Sequence, residues 1–193
     1  MPAAAQTTHR PAHAKGGGQP VSLGSFFDWH AASHKEGDTA VCYIFTRAEA
    51  PVARVPGRGD VVLSVTRRDG SRDSVALSAG FVLPGHEDAV LQAGTTKLLF
   101  YIAGRWAFSR DGAAAVAAFE HEYSVAAHVH GPKGADIVDR FGLKGFSAAY
   151  AAMLKACPPG DTPKPAPPKP APPKLGSPDL GAPNLGAPDM GAP

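Results

Sequence analysis

Apolar residues recur at every second position through much of the middle of this chain. Asp60-Val-Val-Leu-Ser-Val-Thr-Arg67 alternates and is rich in β-branched side chains, and Ser74-Val-Ala-Leu-Ser78 follows after Asp69-Gly70. An Asp-Gly pair between two such runs predicts a β-hairpin, because the tight turn needs residues that tolerate positive φ. Ala89-Val-Leu-Gln92 and Lys97-Leu-Leu-Phe-Tyr-Ile102 bracket Gly94 in the same manner. Further strands are predicted over 39–46, 80–85, 106–108, 123–130 and 136–143, the last two joined by Gly131-Pro-Lys-Gly134. Residues 26–31 read as a short aromatic start. Residues 50–59, with Pro51, Pro56 and two glycines, read as a loop.

The period changes from two to near four in two places. Ser109-Arg-Asp111 offers capping oxygens ahead of an Ala-rich stretch, 113–119, in which Val116 and Phe119 stand three apart. Phe146, Tyr150, Met153 and Leu154 form an apolar stripe at helical spacing, and Cys157 falls near the same face. Several short strands with one internal and one terminal helix predict a mainly β fold. The expected form is a β-sandwich or open barrel whose C-terminal helix packs on the sheet.

Composition sets the limits of that fold. Every aromatic residue lies between Phe26 and Tyr150, and 13 of the 20 prolines follow Cys157. The expected domain is therefore 25–157, flanked by a disordered segment 1–24 and a disordered Pro-rich tail 158–193, neither with enough apolar surface to offset chain entropy. From Lys164 the tail runs in six five-residue units, from Lys-Pro-Ala-Pro-Pro168 to Asp-Met-Gly-Ala-Pro193, each ending in Pro. It reads as a spacer, or alternatively as a ligand for a Pro-recognising module.

Charge narrows the partners. Residues 25–157 hold 14 Lys plus Arg and 14 Asp plus Glu, so the domain is neutral and lacks the clustered basic surface that nucleic acid requires. The nearest basic group, Arg67-Arg68 with Arg72, reads as a solvated hairpin end. No apolar run approaches the roughly 18–20 residues of a membrane span. No apolar secretory core is present in this chain, although Pro2-Ala-Ala-Ala-Gln6 resembles sequence that follows a signal-peptidase site.

Cys42 and Cys157, the two cysteines, admit three readings: two reduced core thiols, a disulfide, or one nucleophile. Cys42 lies in an apolar strand with no His or Lys beside it, and Cys157 precedes Pro158-Pro159, so neither has the surroundings of a low-pKa thiol. The disulfide is the preferred reading; it would join an early strand to the last helix.

The order of residues resembles the invasion-associated locus B family. The resemblance rests on Phe27-Asp28-Trp29, Val41-Cys42-Tyr43, Gly80-Phe81 with Gly85 and Gly94, and Trp106 ahead of an Ala-rich helix. It is strongest in Asp139-Arg-Phe-Gly-Leu-Lys-Gly-Phe-Ser-Ala-Ala149 running on to Lys155-Ala-Cys157. It covers about 25–157 and none of the tail. It implies a periplasmic or secreted β-rich protein of α-proteobacteria, from a family with no established enzymatic reaction.

Candidates for chemistry are few. His128-Val-His130 puts two imidazoles on one strand face, a spacing able to bind zinc or copper, with His86, His121 or Glu122 as third ligands. Such a pair is more often a solvated face. A Gly-x-Ser-x-Gly elbow and a phosphate loop are both lacking. Trp29 and Trp106, with Phe26, Phe27, Phe100 and Tyr101, are able to line a ligand groove but read first as core. The expectation is a non-enzymatic cell-envelope protein, periplasmic or secreted. It would have no cofactor, no nucleic-acid partner and no membrane span, and an unidentified protein or envelope component as partner. The alternatives are a small metal-dependent hydrolase using His128 and His130, or a scaffold acting through the tail.

Overall fold

In a computed structural model the described residues are 18–159, apart from Pro51, Asp69 and His86. The expectations for 1–17 and for the repeats of the tail lie outside them. The chain forms β1 (Val21–Phe26), β2 (Trp29–Glu36), β3 (Thr39–Arg47), β4 (Val62–Arg68), β5 (Ser74–Ser78), β6 (Ala89–Ala93), β7 (Thr96–Ala103) and β8 (Trp106–Ser109). Helix α1 (Gly112–His121), β9 (Ser124–His130), β10 (Asp136–Gly142) and helix α2 (Phe146–Ala156) complete it.

The strands make one ten-stranded antiparallel sheet in the order β1-β2-β3-β4-β5-β8-β7-β6-β9-β10. The fold is mainly β, as the alternation predicts. Both ends of the order are edges, yet the sheet curls until its far ends meet. Trp29 donates from Nε1 to the Gly142 carbonyl at 3.0 Å, and the Glu49 amide donates to the Arg140 carbonyl at 2.8 Å.

One side chain in two faces inward, and the register makes the choice consistent across strands. Cys42 and Ile44 of β3 oppose Arg67 and Val65 of β4; Val65 and Leu63 oppose Val75 and Leu77 of β5; Leu77 opposes Ala107 of β8. Phe100, Leu91, Ala127 and Phe141 continue the interior on the remaining strands. A slip of one residue anywhere would turn a whole strand's apolar set outward, which is what fixes the pairing.

The two helices cap this interior. Asp111 accepts a hydrogen bond from the Ala114 amide at 3.0 Å and starts α1, where the sequence offers it. Helix α2 lies against β1, β2 and β3, burying Phe146, Ala149 and Met153. Phe146 meets Trp29 and Phe119 edge-to-face at 5.0 and 5.6 Å, so one ring ties α2 to both the sheet and α1. Gly145 begins α2 at φ 90°, and a side chain there would run into the Phe26 carbonyl.

Three expectations are corrected. The fold begins before residue 25, because β1 starts at Val21. Residues 26–31 are not one element: the chain turns at Phe27 (φ 54°) and Asp28, and β2 runs on through the polar His34-Lys-Glu36 that masked it. Residues 80–85 are not a strand. The in-out alternation there is real, with Phe81 and Leu83 buried and Val82 exposed. No ladder forms because Gly80 sits at φ 78° with its backbone against Gly59, whose amide donates to the Gly80 carbonyl at 2.8 Å.

Candidate functional site

The two cysteines are brought together. Cys42, on the inner face of β3, and Cys157, at the C-terminal cap of α2, form a disulfide with their Cα atoms 6.0 Å apart and a sequence separation of 115. The Cys157 amide donates to the Met153 carbonyl at 2.8 Å, which holds the last turn closed around the bond. Both residues are buried, at 1% and 2% exposure. Neither sulfur is free, so the nucleophile and reduced-thiol readings do not describe this state.

Two buried ion pairs lie in the same interior, and sequence reading missed both. Arg58 leaves the 52–61 connection and reaches Asp139 on β10. Its Nη1 donates to Asp139 Oδ1 at 3.1 Å and to the Ala53 carbonyl at 3.1 Å, its Nη2 donates to Asp139 Oδ2, and its Nε donates to the Ala79 carbonyl at 2.9 Å. The side chains are 5% and 1% exposed. Arg67 donates from Nε and Nη2 to the two oxygens of Asp73, each at 2.7 Å, and Tyr150 of α2 donates its hydroxyl to Asp73 Oδ2 at 2.6 Å. That bond network holds the Arg67 guanidinium more strongly protonated than usual, while burial first and the Asp73 bond second push the Tyr150 hydroxyl well above its ordinary pKa. Nη1 of Arg67 is buried without a partner among the described residues.

The imidazoles named from sequence take separate tasks. His128 and His130 do share the outer face of β9, and both are exposed. His130 is held between carboxylates, Nε2 2.9 Å from Glu87 and Nδ1 2.9 Å from Asp136. The two oxygens lie on different ring nitrogens, so they do not converge on a common point as metal ligands do. His121 ends α1, Glu122 follows it, and His86 is outside the described residues. Among the described residues no three His, Cys, Asp or Glu side chains converge in a metal-binding arrangement.

The aromatic residues divide. Trp29 and Phe100 are core, fully enclosed; Phe26 packs against it. Trp106, Tyr101 and Phe27 are not, at 42%, 44% and 68% exposure. The register aligns the outward residues of six strands into one row: His30, Phe45, Ser64, Ala76, Phe108 and Tyr101. Two clusters of rings stand on it. In one, His30, Phe45 and Tyr43 follow one another at centroid distances of 5.3 and 6.2 Å with planes within 33°. In the other, Tyr101, Phe108 and Trp106 follow at 5.7 and 6.5 Å with planes 28° apart. Beside Tyr101 and Phe108 opens a cavity of 620 Å³, bounded by Arg67, Arg72, Ser74, Ser109 and the start of α1. Trp106 and Tyr101, which read first as core from sequence, stand outward instead, and the strand order, with β8 inserted beside β5, is what puts Tyr101 in line with Phe108 and Phe45.

Neither a family model nor a curated protein sequence matches the chain. Among solved structures, that of invasion associated protein B from Bartonella henselae is similar, with a TM-score of 0.50 and 18% sequence identity. The match spans 70% of this chain and 96% of that one. No helix among the described residues is long and apolar enough to cross a membrane. What the sequence resemblance implied about architecture is therefore met at the level of the fold: this chain shares its fold with invasion associated protein B.

Proposed function

We propose that this protein is a non-enzymatic, extracytoplasmic binding protein of the cell envelope, periplasmic or secreted. The Cys42–Cys157 bond carries the reading. A disulfide that persists at equilibrium belongs to an oxidising compartment, since cytosolic thiol buffers keep such pairs reduced. A neutral domain with no net field toward nucleic acid, and the fold of invasion associated protein B, support the same placement. Binding is preferred to catalysis because the groups best suited to chemistry are committed elsewhere. Both sulfurs are bonded to each other, and the nitrogens of His130 face two carboxylates.

Thiol counting tests the placement. Protein isolated from its own cells, alkylated in denaturant at the moment of lysis, is expected to carry no free thiol until a reductant is added. Two alkylated cysteines in the unreduced sample would overturn the proposal.

A further inference from the structure

We infer that the outer face of the sheet, from β3 across β4 and β5 to β8 and β7, binds a neutral glycan chain. The inference rests on the binding role proposed above and adds the ligand class. Three observations lead to it.

The first is the spacing of the rings. The Tyr43–Phe45 cluster stands on β3 and the Trp106–Phe108 cluster on β8, with β4 and β5 between them. Three strand spacings place the clusters about 14 Å apart, a length that several linked sugar rings cover. The apolar C–H face of a pyranose packs on an aromatic ring. Trp106 and Tyr101 are half exposed and Tyr43, Phe45 and Phe108 partly so, and with planes that differ by only about 30° within each cluster they offer two such seats on one side of the sheet.

The second is what lies between the seats. Ser64 and Thr66 of β4 and Ser74, Ala76 and Ser78 of β5 form the floor. Hydroxyls both donate and accept, and so does every sugar hydroxyl. The two floor hydroxyls with partners hold them weakly: Ser64 Oγ is 3.4 Å from the Ala76 carbonyl and Ser78 Oγ 3.4 Å from the Asp60 carbonyl. The floor disfavours a protein occupant, because Ser and Ala are depleted where proteins bury surface against each other. These strands are also interior to the sheet, so their backbones have no free edge to offer an extended peptide.

The third is charge. Around the cavity beside Tyr101, Arg67, Arg72 and Arg110 are matched by Asp73, Asp88 and Asp111, with Arg67–Asp73 and Arg110–Asp88 already paired at 2.7 and 2.6 Å. At the other end Arg47 faces Asp60 and Arg68 faces Glu36. A face most of whose charges are matched within the protein, with Arg72 and Lys97 the cations that have no ion-pair partner among the described residues, favours a neutral ligand over a polyanion or polycation.

Affinity electrophoresis of the full chain in native gels tests this, with hydroxyethyl cellulose, soluble starch or glycol chitin cast in the gel. Retardation by at least one polymer is expected. Soluble oligosaccharides of that polymer should shift tryptophan emission, because Trp106 is half exposed while Trp29 is enclosed. Trp106→Ala and Phe45→Ala should each weaken binding by about tenfold or more, the loss of one stacked ring, with circular dichroism showing that each variant remains folded. Trp106→Phe should retain most of the affinity and lose the emission shift. Absence of retardation by all three polymers would overturn the inference. So would retardation that Trp106→Ala and Phe45→Ala leave unchanged, or a dimer in sedimentation that Trp106→Ala dissociates, which would assign the face to a second copy of this chain. None of these outcomes alters the thiol count, so the cell-envelope placement stands or falls separately.

Discussion

Two links cross this fold between residues far apart in sequence, and they work by different physics. Cys42–Cys157 ties the first strands to the last helix through a covalent bond, 115 residues apart. Arg58–Asp139 ties the 52–61 connection to the last strand through a buried ion pair, 81 residues apart. The disulfide acts chiefly by restricting the unfolded chain, so its benefit grows with the loop it closes and vanishes in a reducing compartment. The ion pair acts only in the folded chain. It gains little overall, since removing two charges from water costs about as much as their attraction returns, but it is harsh when half of it is lost. One link therefore adds stability, and the other chiefly penalises wrong arrangements.

The largest effect should come from the covalent link. Reduction, or Cys42→Ser with Cys157→Ser, is expected to lower unfolding free energy by about 4–5 kcal/mol in the chain-entropy model. Urea titrations with and without reductant measure it. A change under about 1 kcal/mol would mean that the reduced chain keeps its ends together by other contacts. Asp139→Leu comes next. It leaves the Arg58 guanidinium buried without its carboxylate and should cost about 3–5 kcal/mol. Adding Arg58→Met should recover a large part of that loss, and a double-mutant cycle reads the coupling. If the double variant is as unstable as the single one, the pair is a net stabiliser and the contrast with the disulfide disappears.

The unequal legibility of the two links has the same root. Cysteines are scarce here, so two of them in an otherwise unremarkable domain already suggest each other. Arginines and aspartates are plentiful, and nothing local distinguishes Arg58 or Asp139 from a surface charge. Their meeting depends on the curl that brings β10 toward the residues after β3. The hairpins around Gly70 and Gly94, the capped α1 and the stripe of α2 were all readable, because each is encoded within a few residues. The entry of β1 was not, since Val21-Ser-Leu-Gly-Ser-Phe26 has residues of high strand propensity only at its two ends and a glycine near its centre. The aromatic row on the outer face was not legible, and Trp106 and Tyr101 read first as core although they are half exposed. Placing Phe108 in line with Phe45 needs the β5–β8 pairing, which skips two strands of the sequence.

Tyr150 sharpens the comparison by asking whether α2 is held by its disulfide alone. Tyr150→Phe removes the hydrogen bond to Asp73 and should cost about 1–2 kcal/mol in the oxidised protein. It should also change the alkaline limb. The folded-state pKa of Tyr150 is raised, by burial and by the Asp73 carboxylate, so the folded chain holds its proton where the unfolded chain releases it. The resulting stability is complete below the unfolded tyrosine pKa of about 10 and declines as pH rises beyond it. Urea midpoints between pH 9 and 11 should fall more steeply for the parent than for Tyr150→Phe. Parallel slopes would mean that the hydroxyl is solvated and that the disulfide is what seats this part of the helix.

The smallest effect separates local contacts from both links. Asp111 caps α1 through its side chain, 3.0 Å from the Ala114 amide, and touches neither the disulfide nor Arg58. Asp111→Ala should cost about 1 kcal/mol by leaving that amide unpaired at the helix start. Asp111→Asn should recover most of it, because the amide oxygen still accepts the bond while only the favourable charge at the N-terminus is lost. The cost should be the same in oxidised and reduced protein, since distant independent sites add. A cap that matters only after reduction would show that α1 and the disulfide-held helix α2 share load across the Phe119–Phe146 contact. The two long-range links would then divide the molecule less cleanly than their chemistry suggests.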